Sequence, residues 1–265
     1  MFRSCILQLL FFVPEVTFSI FSYYVQVSRK NAASLQSDIG FITGMSNDQQ
    51  RGDKTLYDTT ERIIENNQVH LRGKMVTGFS FSHELLGEGF YTAQVTVDRL
   101  SEVTDTIPIM VSERLIDVTQ DYIGKYVEIR GQFRSYNQYN EEHNRLILHV
   151  FATKMEILEE EDYPINKIYL DGYICKPTVY RKTPLGREIS DVLLAVNRSY
   201  HKSDYIPCIC WGRNARYASS LEVSSHLQME GRIQRREYSK RISETETESR
   251  TAYEVSVGSM KLLEE

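Results

Sequence analysis

Ile168-Tyr-Leu-Asp-Gly172 repeats, at matched spacing, the pattern of Val69-His-Leu-Arg-Gly73 earlier in the chain. The same offset of 99 residues (168 − 69) relates Val97-Asp-Arg99 to Val196-Asn-Arg198 and Ile107-Pro108 to Ile206-Pro207. Further on, Val127-Glu-Ile-Arg-Gly131 answers to Leu227-Gln-Met-Glu-Gly231, and Met155-Glu-Ile-Leu158 to Met260-Lys-Leu-Leu263. The order is kept, and the offset grows only where loops can lengthen. Chance does not produce so many ordered matches. The chain holds two copies of one unit of about 95 residues, too long for a solenoid repeat and right for a small domain.

This reading divides the chain into an apolar segment with a polar tail (1–67), a first domain (68–158), an acidic linker (159–166) and a second domain (167–265). The linker, Glu159-Glu-Glu-Asp-Tyr-Pro164, is expected to be solvated and extended, a short tether that leaves the copies side by side. Each copy is mostly strand. In the second, Lys167–Tyr173, Ser190–Arg198 and Tyr205–Trp211 are β-rich, and Thr183-Pro-Leu-Gly186 signals a turn after Val179. Asn214–Leu221 suits a short helix, and Leu227–Tyr238 with Ala252–Leu263 suits a final hairpin around an exposed acidic loop at Glu244–Glu248. Five strands with a helix before the fourth is the pattern of an OB barrel; strand count alone also allows an SH3-like barrel or a sandwich. The expected class is mainly all-β: two tandem five-stranded OB-fold barrels, each with a short helix.

The composition is that of an ordinary globular protein of 265 residues, 41% hydrophobic and 25% charged. A net charge of −5 excludes a chain coated in positive charge, but not local basic patches. Cys5, Cys175, Cys208 and Cys210 form no CxxC pair and no disulfide framework. Cys208 and Cys210 would share one face of a strand, so reduced thiols in a core are expected. A metal site or another cofactor is not expected. No GxSxG, HExxH, P-loop or kinase signature occurs, the six histidines are scattered, and Gly87-Glu-Gly89 suits a hairpin turn. An enzyme is not expected.

Ile6–Val27 is strongly apolar, broken by Gln8, Pro14 and Glu15 and flanked by Arg3 and Arg29-Lys30. Its length could span a bilayer, but a charge near its centre is costly there. Three readings stay open: a start that belongs at Met45, a membrane anchor, or a loosely ordered tail.

The second copy concentrates positive charge. From Lys176 to Arg241 there are thirteen Lys or Arg against six Asp or Glu, a local balance of 13 − 6 = +7. Tyr180, Tyr200, Tyr205, Trp211, Tyr217 and Tyr238 lie among them. Single-stranded nucleic acid offers a phosphate line and open base faces, and a binder needs cations along a groove with aromatics to stack on. The competing reading is that the aromatics are core and the charges merely solvated; a lone Trp is often a core anchor.

Leu170-Asp-Gly-Tyr-Ile-Cys-Lys-Pro177, Arg181-Lys-Thr-Pro-Leu-Gly-Arg-Glu188, Leu194-Ala-Val-Asn-Arg-Ser-Tyr200, Asp204-Tyr-Ile-Pro-Cys-Ile-Cys-Trp-Gly212 and Met229-Glu-Gly-Arg-Ile-Gln-Arg-Arg-Glu-Tyr238 follow one another in order. Together they closely resemble the bacterial single-stranded DNA-binding protein family across nearly the whole second copy. The resemblance implies an OB fold, four such domains per assembly, and DNA wrapped over stacking aromatics. It implies stacking roles for Tyr200, Tyr205, Trp211 and Tyr238. Arg181, Lys182, Arg187, Arg198, Lys202, Arg213, Arg232, Arg235 and Arg236 become the expected phosphate or guanidinium-stacking partners.

The first copy departs from this pattern. Ser101, Thr106, Ser112 and Gln138 stand where the second has Tyr200, Tyr205, Trp211 and Tyr238. Phe133, Tyr136 and Tyr139 could partly substitute, with Arg134 and Arg145 as cations. Reduced DNA affinity and a role in completing an assembly interface are expected of it. The family's usual acidic tail with an Asp-Phe-type tip is not seen after Leu262-Leu-Glu-Glu265, so recruitment of partners by that route is not expected. The expected function is sequence-tolerant single-stranded DNA binding and protection in replication, recombination or repair. The expected setting is a cytoplasmic, nucleoid-associated homodimer with four OB domains, in contact with replication or recombination proteins and off the membrane unless the apolar segment is native. The alternative is an OB-fold interaction module of a replication-restart or mobile-element complex, acting mainly through protein contacts.

Overall fold

The computed structural model describes residues 65–139, 144–199, 202–241 and 247–263. Alternating apolar residues build its strands. Along β1 (Asn67–Met75), Val69, Leu71 and Met75 turn inward while Gln68 and Lys74 face water. β2 (Ser80–Leu85), β3 (Glu88–Asp98), β4 (Thr104–Ser112), β5 (Tyr126–Tyr139) and β6 (Asn144–Leu158) follow. The second set is β7 (Ile165–Ile174), β8 (Val179–Lys182), β9 (Glu188–Arg198), β10 (Lys202–Trp211), α1 (Arg213–Ser219), β11 (His226–Arg241) and β12 (Thr247–Leu262). Leu56–Tyr238 with Ser249–Glu265 forms one compact unit. A second unit, Met1–Thr55 with Ser239–Glu248, enters the described residues only at the ends of β11 and β12.

The first set closes on itself. β3 pairs with β4, β4 runs parallel to β6, β6 pairs with β5, β5 with β1, and β1 returns to β3. The second set repeats this order through β9, β10, β12, β11 and β7, again with one parallel contact, β10 to β12. Both are five-stranded OB barrels, and in each an extra strand lies outside: β2 on β3 and β8 on β9. β2 and β8 add a sixth strand to the expected five. The second barrel has its helix before β11, as expected. The first runs through turns at Glu113–Lys125 instead, so α1 is the one full helix among the described residues.

The glycines of the repeat explain the closure. A Cβ on Gly131 would lie 2.1 Å from the Phe151 carbonyl oxygen, and one on its counterpart Gly231 2.3 Å from that of Ser256. Only glycine lets these strands approach so closely. The Asn67 carboxamide reinforces the same bend: its Nδ2 donates to the Phe133 carbonyl at 2.9 Å, and its Oδ1 accepts from the Phe133 amide at 2.9 Å. Asn166 does the same for Ile233 at 2.7 and 2.9 Å.

The barrels are joined by antiparallel pairing of β1 with β7, in which Val69 stands opposite Ile168. These are equivalent residues of the repeat, so the pairing has the form of an approximate two-fold. Glu159–Tyr163 of the acidic stretch is exposed, and Asp162 forms an ion pair with Arg72. Cys208 and Cys210 are buried and free, and burial pushes the Cys210 thiol up to about 12. No helix among the described residues is long and apolar enough to cross a membrane. The apolar segment Ile6–Val27 and the loop residues 242–246 lie outside the described residues.

Candidate nucleic-acid interface

Strand β10 carries the core on one side and the candidate surface on the other. Ile206, Cys208 and Cys210 turn inward. Tyr205 and Trp211, six residues apart, therefore share the outer face, separated by about 20 Å of extended chain. Trp211 is 38% exposed, which removes it from the core-anchor reading, and Tyr205 is half-buried. Tyr238 is half-buried on β11, with the Arg236 guanidinium 5.8 Å from its ring centre. Tyr200 lies outside the described residues.

The expected cations sort into two groups. Lys182, Arg187, Lys202 and Arg213 are exposed, and none has an ion-pair partner among the described residues. The other five are paired. Arg181 holds Asp191 through two bonds of 3.0 and 3.2 Å, Arg235 holds Glu237, and Arg236 holds Glu254 at 3.2 Å. Arg198 and Arg232 point to a different place, the seam between the barrels, where they meet Asp204 at 3.3 Å and Asp105 at 3.4 Å.

That seam holds functional residues the sequence reading missed. Asp105 and Asp204 occupy equivalent positions and are both 1% exposed. Each reaches across to the other barrel's backbone. The Arg235 amide donates to Asp105 at 3.1 Å, and the Ser135 amide donates to Asp204 at 2.7 Å. The Tyr205 amide in turn donates to the Ser135 hydroxyl at 2.7 Å. A visible signal existed: Asp105-Thr-Ile-Pro108 and Asp204-Tyr-Ile-Pro207 place a carboxylate at the start of an apolar strand in both copies. Burial raises the Asp204 carboxyl above its ordinary range, offset by the Ser135 amide and by Arg198 and Arg134.

In the first barrel the substitutes distribute unevenly. Phe133 is fully buried and belongs to the core, because it continues the inward alternation of Val127, Ile129 and Gly131 along β5. Tyr136 is 45% exposed. Arg134 lies over the Phe151 ring at 4.1 Å. The side chains of Tyr139 and Arg145 lie outside the described ones. Ser112, in Trp211's place, donates its hydroxyl to Glu88.

Residues 165–263 match the Single-strand binding protein family. Over 81 residues the chain is 33% identical to single-stranded DNA-binding protein 2 of Listeria innocua, covering 28% of this chain and 51% of that protein. It is also 33% identical over 81 residues to single-stranded DNA-binding protein A of Bacillus subtilis, covering 47% of that protein. The chain thus spans about half the length of the curated relatives it matches. The wild-type single-stranded DNA-binding protein of Thermus aquaticus superposes with a TM-score of 0.60 over 75% of this chain and 93% of its own, at 18% identity. That share exceeds either barrel alone, so the likeness of fold runs through both. The motifs, strand order and outer-face aromatics of β7–β12 agree with this likeness, which places the second barrel, residues 165–263, beside the single-strand binding protein family.

Proposed function

We propose that the chain binds single-stranded DNA without sequence preference, chiefly on the outer face of the second barrel. The observation that carries this reading is the presence of exposed Trp211 with Tyr205 on one face of β10, together with four exposed cations that have no ion-pair partner among the described residues. Stacking on such rings contributes about 1–3 kcal/mol per base, and every base offers a ring face. Lys182, Arg187, Lys202 and Arg213 supply the phosphate contacts. Arg181, Arg235 and Arg236 are already neutralised and position the surface, while Arg198 and Arg232 hold the seam. Tyr200 and Tyr238 extend the stacking path. Assembly as a homodimer with four barrels, protection of DNA in replication, recombination or repair, and contact with proteins of those processes belong to the same reading.

Trp211 is the single tryptophan, so its fluorescence reports binding directly. Oligo-dT at low salt should quench it. Trp211→Ala with Tyr238→Ala, followed by anisotropy of labelled DNA, should weaken binding about a hundredfold. Four phosphate contacts give a log–log salt slope of about −3 for a single strand. Absence of binding at low salt, or an unchanged double variant, would leave the protein-contact module as the function.

A further inference from the structure

The first barrel lacks the family's stacking positions, but its outer face carries another set of rings. His83 on β2 stacks on Phe90 of β3, with ring centres 5.1 Å apart and planes 14° from parallel. Phe90 contacts Phe151 of β6 at 5.9 Å, and the Arg134 guanidinium of β5 covers Phe151 at 4.1 Å. Tyr136, two residues along β5, meets His149 of β6 at 5.6 Å. These six groups form a lane across the barrel, and His83 and Tyr136 are its exposed ends.

The lane is unlike its counterpart in the second barrel. There the equivalent of His149 is Glu254, which accepts from Gln234 at 2.7 Å and from Arg236 at 3.2 Å, so the charges are consumed internally. In the first barrel Arg134 bonds only the Gln132 side-chain oxygen, at 2.8 and 3.2 Å, and has no carboxylate partner among the described residues. A guanidinium to which no carboxylate among the described residues bonds, with Asp204 acting on it only at longer range, suits a ligand that offers a ring and a negative charge together. The strand that carries the lane also touches the second barrel: the buried Ser135 hydroxyl, on the face of β5 opposite Arg134 and Tyr136, accepts from the backbone amide of Tyr205 and holds β10 beside β5.

The geometry points to a second nucleobase-stacking track on the first barrel, running from Tyr205 at the seam through Tyr136, Arg134 and Phe151 to His83. It rests on the proposed DNA binding of the second barrel and extends its path. Glu84, Glu88 and Glu113 lie on and beside β2 and β3 near the far end, so the track holds bases rather than phosphates there. A strand long enough for both barrels gains affinity from it; a short one does not.

The test uses the full chain and two oligo-dT lengths, about 8 nucleotides for one barrel and about 40 for both. His83→Ala with Tyr136→Ala removes only exposed rings. The short oligonucleotide should bind the variant as it binds the wild type, while the long one should bind about tenfold more weakly and occupy fewer nucleotides per chain. Unchanged binding of the long oligonucleotide overturns the track, and so does equal weakening of both lengths, which reports damage to the barrel. An oligonucleotide carrying 5-iodouracil should cross-link wild-type peptides containing His83, Tyr136 or Phe151; cross-links confined to the second barrel overturn it. Wild-type protein that binds neither length fails the proposed function itself, a result distinct from failure of the track alone.

Discussion

The two barrels place different chemistry on matching scaffolds. Inside, position answers to position: Ile107 to Ile206, Val127 to Leu227, Gly131 to Gly231, Asn67 to Asn166. Outside, Thr106 and Ser112 face Tyr205 and Trp211 as equivalents, while Phe151, His149, Arg134 and Tyr136 answer to Ser256, Glu254, Gln234 and Arg236. Closure explains the first set. A strand that must turn across its neighbour's carbonyl accepts only glycine, and a filled core accepts few volumes. Nothing in closure constrains the outward residues, so the outer faces have parted and the barrel has not.

The shared interior makes the largest prediction. Gly131→Ala and Gly231→Ala each drive a Cβ into a carbonyl oxygen, at 2.1 and 2.3 Å. Each should lower unfolding free energy by ~3 kcal/mol or more in urea titrations. Similar losses are expected, because the contact is the same in both barrels. A mild effect at one site would show that one barrel closes differently.

The next contrast is His149 against Glu254. Burial, reinforced by the nearby charges of Arg134, Arg198 and His83, holds the His149 imidazole at about 4, below its ordinary 6.5. The unfolded chain therefore takes up a proton in a range where the folded one does not. Stability is complete above about 6.5 and is lost as pH falls toward 4, by about 3 kcal/mol over that window. His149→Gln should flatten the fall in thermal or urea melts between pH 6.5 and 4. The same slope in the variant would assign the acid sensitivity elsewhere.

Much of this was legible in the sequence, for a physical reason. Alternation and the repeated glycines report directly on closure, so strands such as β7, β9 and β10 and the helix Arg213–Ser219 fall close to their expected ranges. β2 was not legible because every residue of Ser80–Leu85 is exposed and alternation has nothing to mark. Phe133 was legible after all in the period of β5: Val127, Ile129, Gly131 and Phe133 are all buried, so Phe133 cannot share a face with Arg134 and Tyr136. Arg232 reads as a phosphate contact because its carboxylate, Asp105, lies 127 residues away on the other barrel; Arg198 meets Asp204 only six residues on, across the β9–β10 ladder, where a bare charge count does not pair them. A charge count cannot see an ion pair that only the joining of β1 to β7 creates.

The seam carries the subtlest difference. Asp105 and Asp204 are equivalent and equally buried, but they are not equally satisfied. Arg99 donates to both oxygens of Asp105, with Arg232 and the Arg235 amide adding two more bonds. Arg198 and the Ser135 amide both donate to Oδ1 of Asp204, and Oδ2 has no partner among the described residues. The folded carboxyl of Asp204 is raised, so the folded state holds its proton to higher pH than the unfolded chain does. Stability from this group falls as pH rises from about 3.8 through the raised value, opposite to His149. Asp204→Asn keeps an acceptor for the Ser135 amide and removes the buried charge. It should change stability at neutral pH by less than ~1 kcal/mol and abolish that rising-pH loss. Asp105→Asn breaks charge-assisted bonds to two arginines and should cost about 2 kcal/mol. Urea titrations of the two variants at pH 7 make the comparison. Equal costs would mean that the seam is symmetric in energy and that the unpartnered oxygen of Asp204 carries no penalty.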